Sequence, residues 1–469
     1  MVRTLNRYFL TSKKKTQYKL FLGDILLISI SILTAYSIRV YLDPGEFTFY
    51  KAWDRMHQAN LLFLLVHPLA LYVLGLYSTD QKIKGFWGFI FVTWGVILGG
   101  FIAAAMLFFV PRFIIGRKIL LFHLPILSLL LYGWRLLLFN RFEKYEKRSL
   151  ALIGRGDTVS SFLEEINRDA YSEYEVKHVC IVDPDSQICV HWSQGIPLQS
   201  SVEGLLNQNS FQALAVDSAL TLSRDEIKRI IDFRFNQSGE IYDLTDLYES
   251  ITGKVPLSYI DGRWFMSNPG FQGAPNHRYL KVKRLFDFSL ASLIGIFAFP
   301  VMILIAIAIK LESKGPILYV QERLGMNRIK FRCYKFRTMV ANAEAGIGPI
   351  HSRDEDPRVT RVGKCIRKTR LDELPQVINI LRGELSFVGP RPIREHFANG
   401  FSHQVPYYEL RHNVKPGLTG WAQVHRCYAV PFGLEALQYE LFYIQNMSML
   451  LDLHILFKTL RTVLGGQGK

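Results

Sequence analysis

The chain has 469 residues, a formal net charge of +16 and a hydrophobic fraction of 49%. Few soluble proteins are both this apolar and this basic, whereas a membrane protein with cytoplasmic Lys and Arg commonly is. The charge suits nucleic acid, anionic lipid head groups or phosphorylated substrates, and the apolar runs favour the last two and exclude nucleic acid as a partner.

Four apolar stretches come first, at roughly 21–42, 59–77, 87–110 and 118–139. Each approaches the ~20 residues that cross ~30 Å of hydrocarbon as a helix, so residues 1–147 read as a four-span anchor. Arg3, Arg7, Lys13, Lys14, Lys15 and Lys19 place the N-terminus in the cytoplasm. The loop at 43–58 is mixed in charge and suits the outside. Lys82 and Lys84 mark the next loop as inside, and Arg141, Lys144, Lys147 and Arg148 return the chain to the cytoplasm. The third loop, with Arg112, Arg117 and Lys118, fits less well. No cleavable signal peptide is expected, because the basic N-terminal stretch lacks a small-residue cleavage pattern.

Residues 148–265 read as an α/β unit with a Rossmann-like shape, strand–turn–helix at "SLALIGRGDTVSSFLEEI" and a second strand at "VKHVCIVDPD". Gly154 and Gly156 begin a dinucleotide-type fingerprint, but Val159 stands where its third glycine would fall, so a scaffold without cofactor is expected. Residues 266–280, rich in Gly, Pro and Asn, read as a linker. Cys180, Cys189, Cys333, Cys365 and Cys427 are odd in number with no C-x-x-C pair. That argues against disulfides and zinc and for reduced core thiols.

A fifth apolar run covers 288–309. Lys281, Lys283 and Arg284 precede it, Lys310 and Lys314 follow it, and Pro300 sits near its middle, where a helix loses a hydrogen bond and kinks. Four spans leave the chain inside and a fifth would place the rest outside, whereas positive charge on both flanks suits a segment that enters and leaves on one face. Residues 285–310 therefore read as a re-entrant hairpin, with its broken backbone satisfied internally.

Downstream, the segments "VQERLGMNRIKFRCYKFRTM", "DPRVTRVGKCIRKTRLDELPQVINILRGELSFVGPRP" and "YYELRHNVKPGLTGWAQV" are basic and rich in turn residues. Adjacent carboxylates such as Asp372 and Glu373 in Leu-Asp-Glu-Leu-Pro point about 100° apart on a helix and can serve one site. A carboxylate can also attack phosphorus and hold a phosphoryl group. The Gly-Pro-Arg-Pro and Pro-Gly-Leu-Thr-Gly-Trp stretches read as rigid turns, with Trp421 either a core or a membrane-interface aromatic. The closing stretch from Leu437 is amphipathic, lying on the bilayer or packed under the site.

Over about residues 280–466 these segments resemble the bacterial sugar transferase family, the monotopic phosphoglycosyl transferases of exopolysaccharide and O-antigen synthesis. The spans, the α/β unit and "EIYDLTDLYESITGKVPL" resemble its larger members, the exopolysaccharide polyprenyl glycosylphosphotransferases. The resemblance implies a mostly helical α/β catalytic domain at 281–469, monotopic on the cytoplasmic face of the bacterial inner membrane. It implies transfer of a hexose 1-phosphate, glucose or galactose, from a UDP-sugar to undecaprenyl phosphate, releasing UMP. Asp372 would be the nucleophile that carries the sugar phosphate, and Glu373 would order the site or bind metal. A diphosphate approaching carboxylates calls for a hard cation, so Mg²⁺ is expected on Asp372 and Glu373. Arg391 is the first phosphate contact implied, with Lys335, Arg337, Arg358 and Arg370 behind it. Membrane lipids are the other partner, and the larger members allow a homodimer. Many members have Asp at the position of Glu440 and Asn at that of His425, so no role carries over to either.

Two rival readings are weaker. A membrane-anchored nucleotide-sugar dehydratase or epimerase needs a full fingerprint and a Tyr-x-x-x-Lys pair, present here only as Tyr279 and Lys283 at the hairpin's mouth. A non-catalytic assembly protein would not need Asp372, Glu373 and Arg391 intact.

Overall fold

The computed structural model describes residues 12–42, 49–77, 85–109, 117–142, 147–168, 174–182, 196–199, 201–208, 210–236, 239–257, 260, 262–268, 270–271, 277–340, 356–425 and 433–464. Arg3, Arg7, Lys82, Lys84, Arg112, Lys144, Cys189 and Cys427, which entered the reading of topology and redox state, lie outside them.

Helices α1 (Ser12–Leu42), α2 (Phe49–Val73), α3 (Gly85–Phe109) and α4 (Arg117–Phe142) pack as a ring, α1 on α2 and α4, α3 on α2 and α4. Ile28, Phe63, Val92 and Leu131 fill the centre, yet Leu22, Leu65, Phe101 and Leu129 face outward. Helices apolar on every side suit a bilayer. Within the centre, Asp24 and Arg135 form a fully buried two-pronged ion pair at 2.8 and 3.0 Å, the only tolerable form for such charges in hydrocarbon. Three of these helices contain stretches long and apolar enough to cross a membrane: Gln17–Leu42, Gly85–Met106 and Ile119–Leu138. The second helix, Phe49–Val73, is 25 residues long and is apolar over Asn60–Val73, within the expected span at 59–77. Gly75 adopts φ 79°, and the Leu76 amide donates to the Leu71 carbonyl, a Schellman-type stop that closes this helix.

The middle unit is a parallel five-stranded sheet, ordered β3-β2-β1-β4-β5, from β1 (Arg148–Gly154), β2 (Tyr174–Ile181), β3 (Leu198–Gln199), β4 (Ala213–Val216) and β5 (Glu240–Asp243). This is the order of the first five strands of a doubly wound sheet. Alternate β1 residues serve two cores, Leu150 and Leu152 on one face and Ala151 and Ile153 on the other. Val159 is fully buried against Gly154, whose absent side chain makes room for it. Helix packing thus occupies the place of the missing third glycine. Cys180 and Cys333 are buried free thiols as expected, whereas Cys365 is exposed.

The C-terminal core draws in residues from before and within the linker: Val255 and Leu257 lie in it, and Trp264, Phe265 and, from the linker, Phe271 pack on it. The Trp421 indole donates to the Gly253 carbonyl at 2.9 Å, and Lys254 pairs with Glu165 and Glu435, so Trp421 is a core aromatic that ties the two units together. Helix α5 (His277–Glu312) starts within the stretch read as linker. It runs through 285–310 as one helix with Pro300 inside, where a two-helix hairpin was expected. A proline removes one hydrogen bond and leaves the rest of the ladder to continue.

Both ends of α5 are fastened to the same domain. At its start Lys283 bonds Asp452 at 2.7 Å, Arg284 donates to the carbonyls of Ile380 and Leu381, and Asp287 accepts from the Phe387 amide. At its end Glu312 accepts from the amides of Arg361 and Val362, and Arg337 donates to the carbonyls of Ser313 and Lys314. Between these anchors Ile296, Phe297, Phe299 and Leu304 are exposed. Helix α6 (Leu434–Gln445) is buried almost throughout, and α7 (Met449–Leu464) packs under the short strands near the site and touches α2, with Phe457 against Tyr72.

Candidate active site

The dyad lies on a short 3₁₀ helix, Leu371–Gln376, where an α-helix was the expectation. Pro375 supplies no amide hydrogen and disfavours helical geometry at the residue before it, so the segment stays tight. Its three residues per turn set neighbouring side chains about 120° apart. Arg370, in a left-handed conformation at φ 57°, turns the chain into it. The following helix, Val377–Arg382, is locked by Asn379, fully buried, which donates to the Arg332 carbonyl at 2.7 Å and accepts from the Tyr334 amide. That bond holds the dyad against the antiparallel pair β6 (Leu318–Leu324) and β7 (Lys330–Phe336).

Both carboxylates are 9% exposed, and their surroundings drive them apart. Glu373 Oε1 accepts from Lys335 Nζ at 2.7 Å and from Arg391 Nη2 at 3.3 Å. Burial acts to raise its pKa, but Lys335, Arg391 and Arg370 overcome this and hold it well below the ordinary carboxylate range. Asp372 goes the other way. Burial first, and then the Glu373 charge, push it up to about 6, and its buried Oδ1 accepts no hydrogen bond among the described residues. One carboxylate is clamped and ionised, and its neighbour is pushed by desolvation towards its neutral form. Opposed environments of this kind separate functional roles.

The structure sorts the cations. Lys335 and Arg391 reach the dyad directly, and Arg370 acts on it through its charge. Arg337 does not: its guanidinium is spent on the Ser313 and Lys314 carbonyls just beyond the end of α5, where a phosphate contact was expected. Arg358 is also committed elsewhere, gripping Asp356 at 2.8 and 2.6 Å. Arg367 was missed by the sequence reading. Its charge lowers Asp372 while its Nε donates to Thr338 Oγ1, and its place five residues before Asp372 was the available signal.

Arg391 sits on a loop defined by backbone contact. Gly389 donates to the Thr419 carbonyl and Gly417 to the Pro390 carbonyl, and a side chain at either glycine would meet backbone at 2.4 or 2.1 Å. Arg411 then donates to the Arg391 carbonyl at 2.9 Å and forms a two-pronged pair with Glu440, both bonds 2.7 Å. Glu440, left without a role by its sequence, thus anchors the residue that holds Arg391. His425 stacks on Tyr439 at 4.7 Å, with Nδ1 bonded to the Trp421 carbonyl. Tyr279 and Lys283 both bond Asp452, so the pair a dehydratase would need is spent on structure.

Among the described residues no cluster of three or more His, Cys, Asp or Glu side chains could hold a metal by itself. The free Asp372 oxygen beside Glu373 does fit Mg²⁺, which commonly takes one or two carboxylates and completes its shell with substrate phosphates and water.

Residues 278–466 match the bacterial sugar transferase family. The UDP-N-acetylgalactosamine-undecaprenyl-phosphate N-acetylgalactosaminephosphotransferase of Aeromonas hydrophila is 42% identical over 231 residues, 49% of this chain and 53% of the relative. The UDP-glucose:undecaprenyl-phosphate glucose-1-phosphate transferase of Klebsiella pneumoniae is 40% identical over 195 residues, 41% and 42% of the two chains. The enzyme of the same name in Caulobacter vibrioides is 39% identical over 186 residues, 39% of this chain and 69% of the relative. The chain therefore spans about half the length, or less, of the first two relatives it matches. It belongs to the bacterial sugar transferase family.

Proposed function

We propose that this chain moves a hexose 1-phosphate from a UDP-sugar to undecaprenyl phosphate, the first membrane step in assembling an exopolysaccharide or O-antigen repeat unit. The observation that carries the reading is Asp372, buried, raised in pKa and unpartnered at Oδ1, beside a Glu373 clamped by Lys335 and Arg391. In the first step an Asp372 oxygen attacks the β-phosphorus. The bond to the bridging oxygen breaks, and UMP leaves with its electron pair. An acyl phosphate bearing the sugar remains on Asp372. In the second step a phosphate oxygen of the lipid attacks that phosphorus and the Asp372 carboxylate departs. Arg391 and Lys335 gather charge on the transferred phosphoryl group as it develops, while Glu373 fixes both cations. Asp372 and Glu373 would hold Mg²⁺, which supplies neutralising charge between donor phosphates and carboxylates.

The fastened ends of α5 support a re-entrant placement. A straight helix of 36 residues would be about 54 Å long, and a span would separate its ends by the ~30 Å of the hydrocarbon core. Here both ends meet one domain, and apolar side chains between them, Ile296, Phe297, Phe299 and Leu304, are bare. With the catalytic half on the cytoplasmic face of the inner membrane, UDP-sugar arrives from water and the carrier from the bilayer.

The test is product analysis with full-length protein, Mg²⁺, undecaprenyl phosphate and UDP-glucose, UDP-galactose or UDP-N-acetylgalactosamine. UMP is expected from at least one donor, with EDTA stopping turnover and Mg²⁺ restoring it. Release of UDP would mean glycosyl transfer and overturn the mechanism. The pH dependence is a second check. Asp372 attacks only when ionised, so kcat/KM for the donor should fall tenfold per unit as pH drops below about 6 and level off above it. A profile flat from pH 5 to 8 would remove Asp372 as nucleophile.

A further inference from the structure

The reaction proposed above has two phosphate-bearing substrates, and the contacts at Lys335 and Arg391 account for one. We propose that the β6 face carrying Tyr319, Gln321 and Arg323, together with Arg394, binds the phosphate monoester of the lipid acceptor. This inference rests on the phosphoglycosyl transfer reading.

Register places that face at the site. In the β6–β7 pair Tyr319 lies opposite Lys335, Gln321 opposite Cys333 and Arg323 opposite Phe331. Directly opposed residues share a face of an antiparallel pair, and Lys335 on this face bonds Glu373. Glu322 alternates to the other side. The strand is then stitched to the chain just beyond Arg391. The Leu324 amide donates to the Ile393 carbonyl at 2.9 Å, Arg323 Nη1 to the Pro392 carbonyl at 3.3 Å, and Arg394 Nη2 to Tyr319 Oη at 3.4 Å. The Gln321 amide also donates to Tyr319 Oη, at 2.7 Å.

The Arg323 charge has no acidic partner among the described residues. Its side chain is half-buried. Desolvation, followed by the positive charges of Arg391 and Arg394, pulls its pKa down to about 10. A guanidinium withdrawn from water beside two others is costly without a counter-anion. A phosphate matches its fork and supplies the missing charge.

Position selects the lipid as the source. Ile317 and Leu318, at the entry to β6, pack on the cluster formed by Ile305 and Ile309 of α5 with Phe336 and Ile366. Tyr319 is therefore the first polar residue of β6 after the membrane helix, whose exposed apolar side chains include Leu304, Ile307 and Leu311. A polyprenyl phosphate puts its phosphate at such a boundary between hydrocarbon and water. A nucleotide does not need to come there.

The experiment uses full-length Arg323→Gln and Arg394→Gln, the second serving if the first does not fold. Two rates are read: exchange of labelled UMP into UDP-sugar without acceptor, which reports the first step alone, and transfer to undecaprenyl phosphate. The KM for undecaprenyl phosphate should rise at least about tenfold, with exchange within about twofold of wild type. An equal fall in exchange would make this a donor subsite, and no change in either would make the arginines structural. Both results overturn the proposal. If wild type shows no exchange with any donor, the transfer reading fails first. Retention of labelled undecaprenyl phosphate by the protein in micelles then decides the site, with loss expected in both variants. Retention unchanged in both, or competition by inorganic phosphate at equal concentration, would overturn the lipid assignment.

Discussion

Asp372→Asn should lower UMP release on the order of 10⁴-fold or more, the usual scale for losing a covalent nucleophile, and should leave the protein more heat-resistant than wild type. The second half follows from the site's electrostatics. Asp372 is withdrawn from water, is pressed by the Glu373 charge and has a buried oxygen with no hydrogen-bond donor among the described residues. Its folded pKa of about 6 lies above the ordinary 3.8, so between those values the folded state binds the proton more tightly than the unfolded one. Stability contributed by this group is therefore greatest below the lower value and falls as pH rises towards 6. At pH 8 the buried charge costs on the order of 1–3 kcal/mol. Asparagine keeps the shape and removes that charge. The check is the thermal midpoint of both proteins at pH 8 and pH 5, with the variant ahead at pH 8 and the gap closing at pH 5. A variant less stable than wild type at pH 8 would mean that Asp372 is held by favourable contacts and is not a strained nucleophile.

The parts of this site legible in the chain were those coded by neighbours. Asp372 and Glu373 are adjacent, Pro375 follows at once, and Arg391 sits between prolines, so local chemistry singled them out. Lys335 and Arg337 show where that logic stops. They are two residues apart in one basic run, yet Lys335 points at Glu373 while Arg337 is spent on carbonyls just beyond the end of α5, because β7 finishes at Phe336 and the backbone leaves the strand there. Nothing local distinguishes a phosphate arginine from one that bonds backbone carbonyls. Arg323 escaped notice for the same reason, since its value lies in the cross-strand register that brings it to Lys335's face. In the fold, the apolar runs and the first β-strand with its following helix were visible as periodicity. The end of α2 is encoded locally too, in Gly75 at φ 79°. The continuous course of α5 through Pro300 depends on anchors at both ends that only tertiary structure supplies.

Glu440 gives the second large effect, and it separates positioning from stability. Its carboxylate and the Arg411 guanidinium are 4% and 2% exposed and form two bonds of 2.7 Å. Glu440→Gln leaves Arg411 charged, buried and without its counter-ion, a change that costs about 3–5 kcal/mol. The thermal midpoint should fall accordingly. Protein that remains folded should also show a raised donor KM, because Arg411 holds the Arg391 carbonyl. Replacing the whole pair by apolar side chains of similar volume, Arg411→Met with Glu440→Met, removes both charges and should recover most of the lost stability. It cannot restore the bond to the Arg391 carbonyl, so donor KM should stay high. Recovery of stability without recovery of KM identifies the pair as a positioning device for Arg391. Recovery of both would reduce it to a core contact. A loss below about 1 kcal/mol in Glu440→Gln would show that Arg411 finds another acceptor.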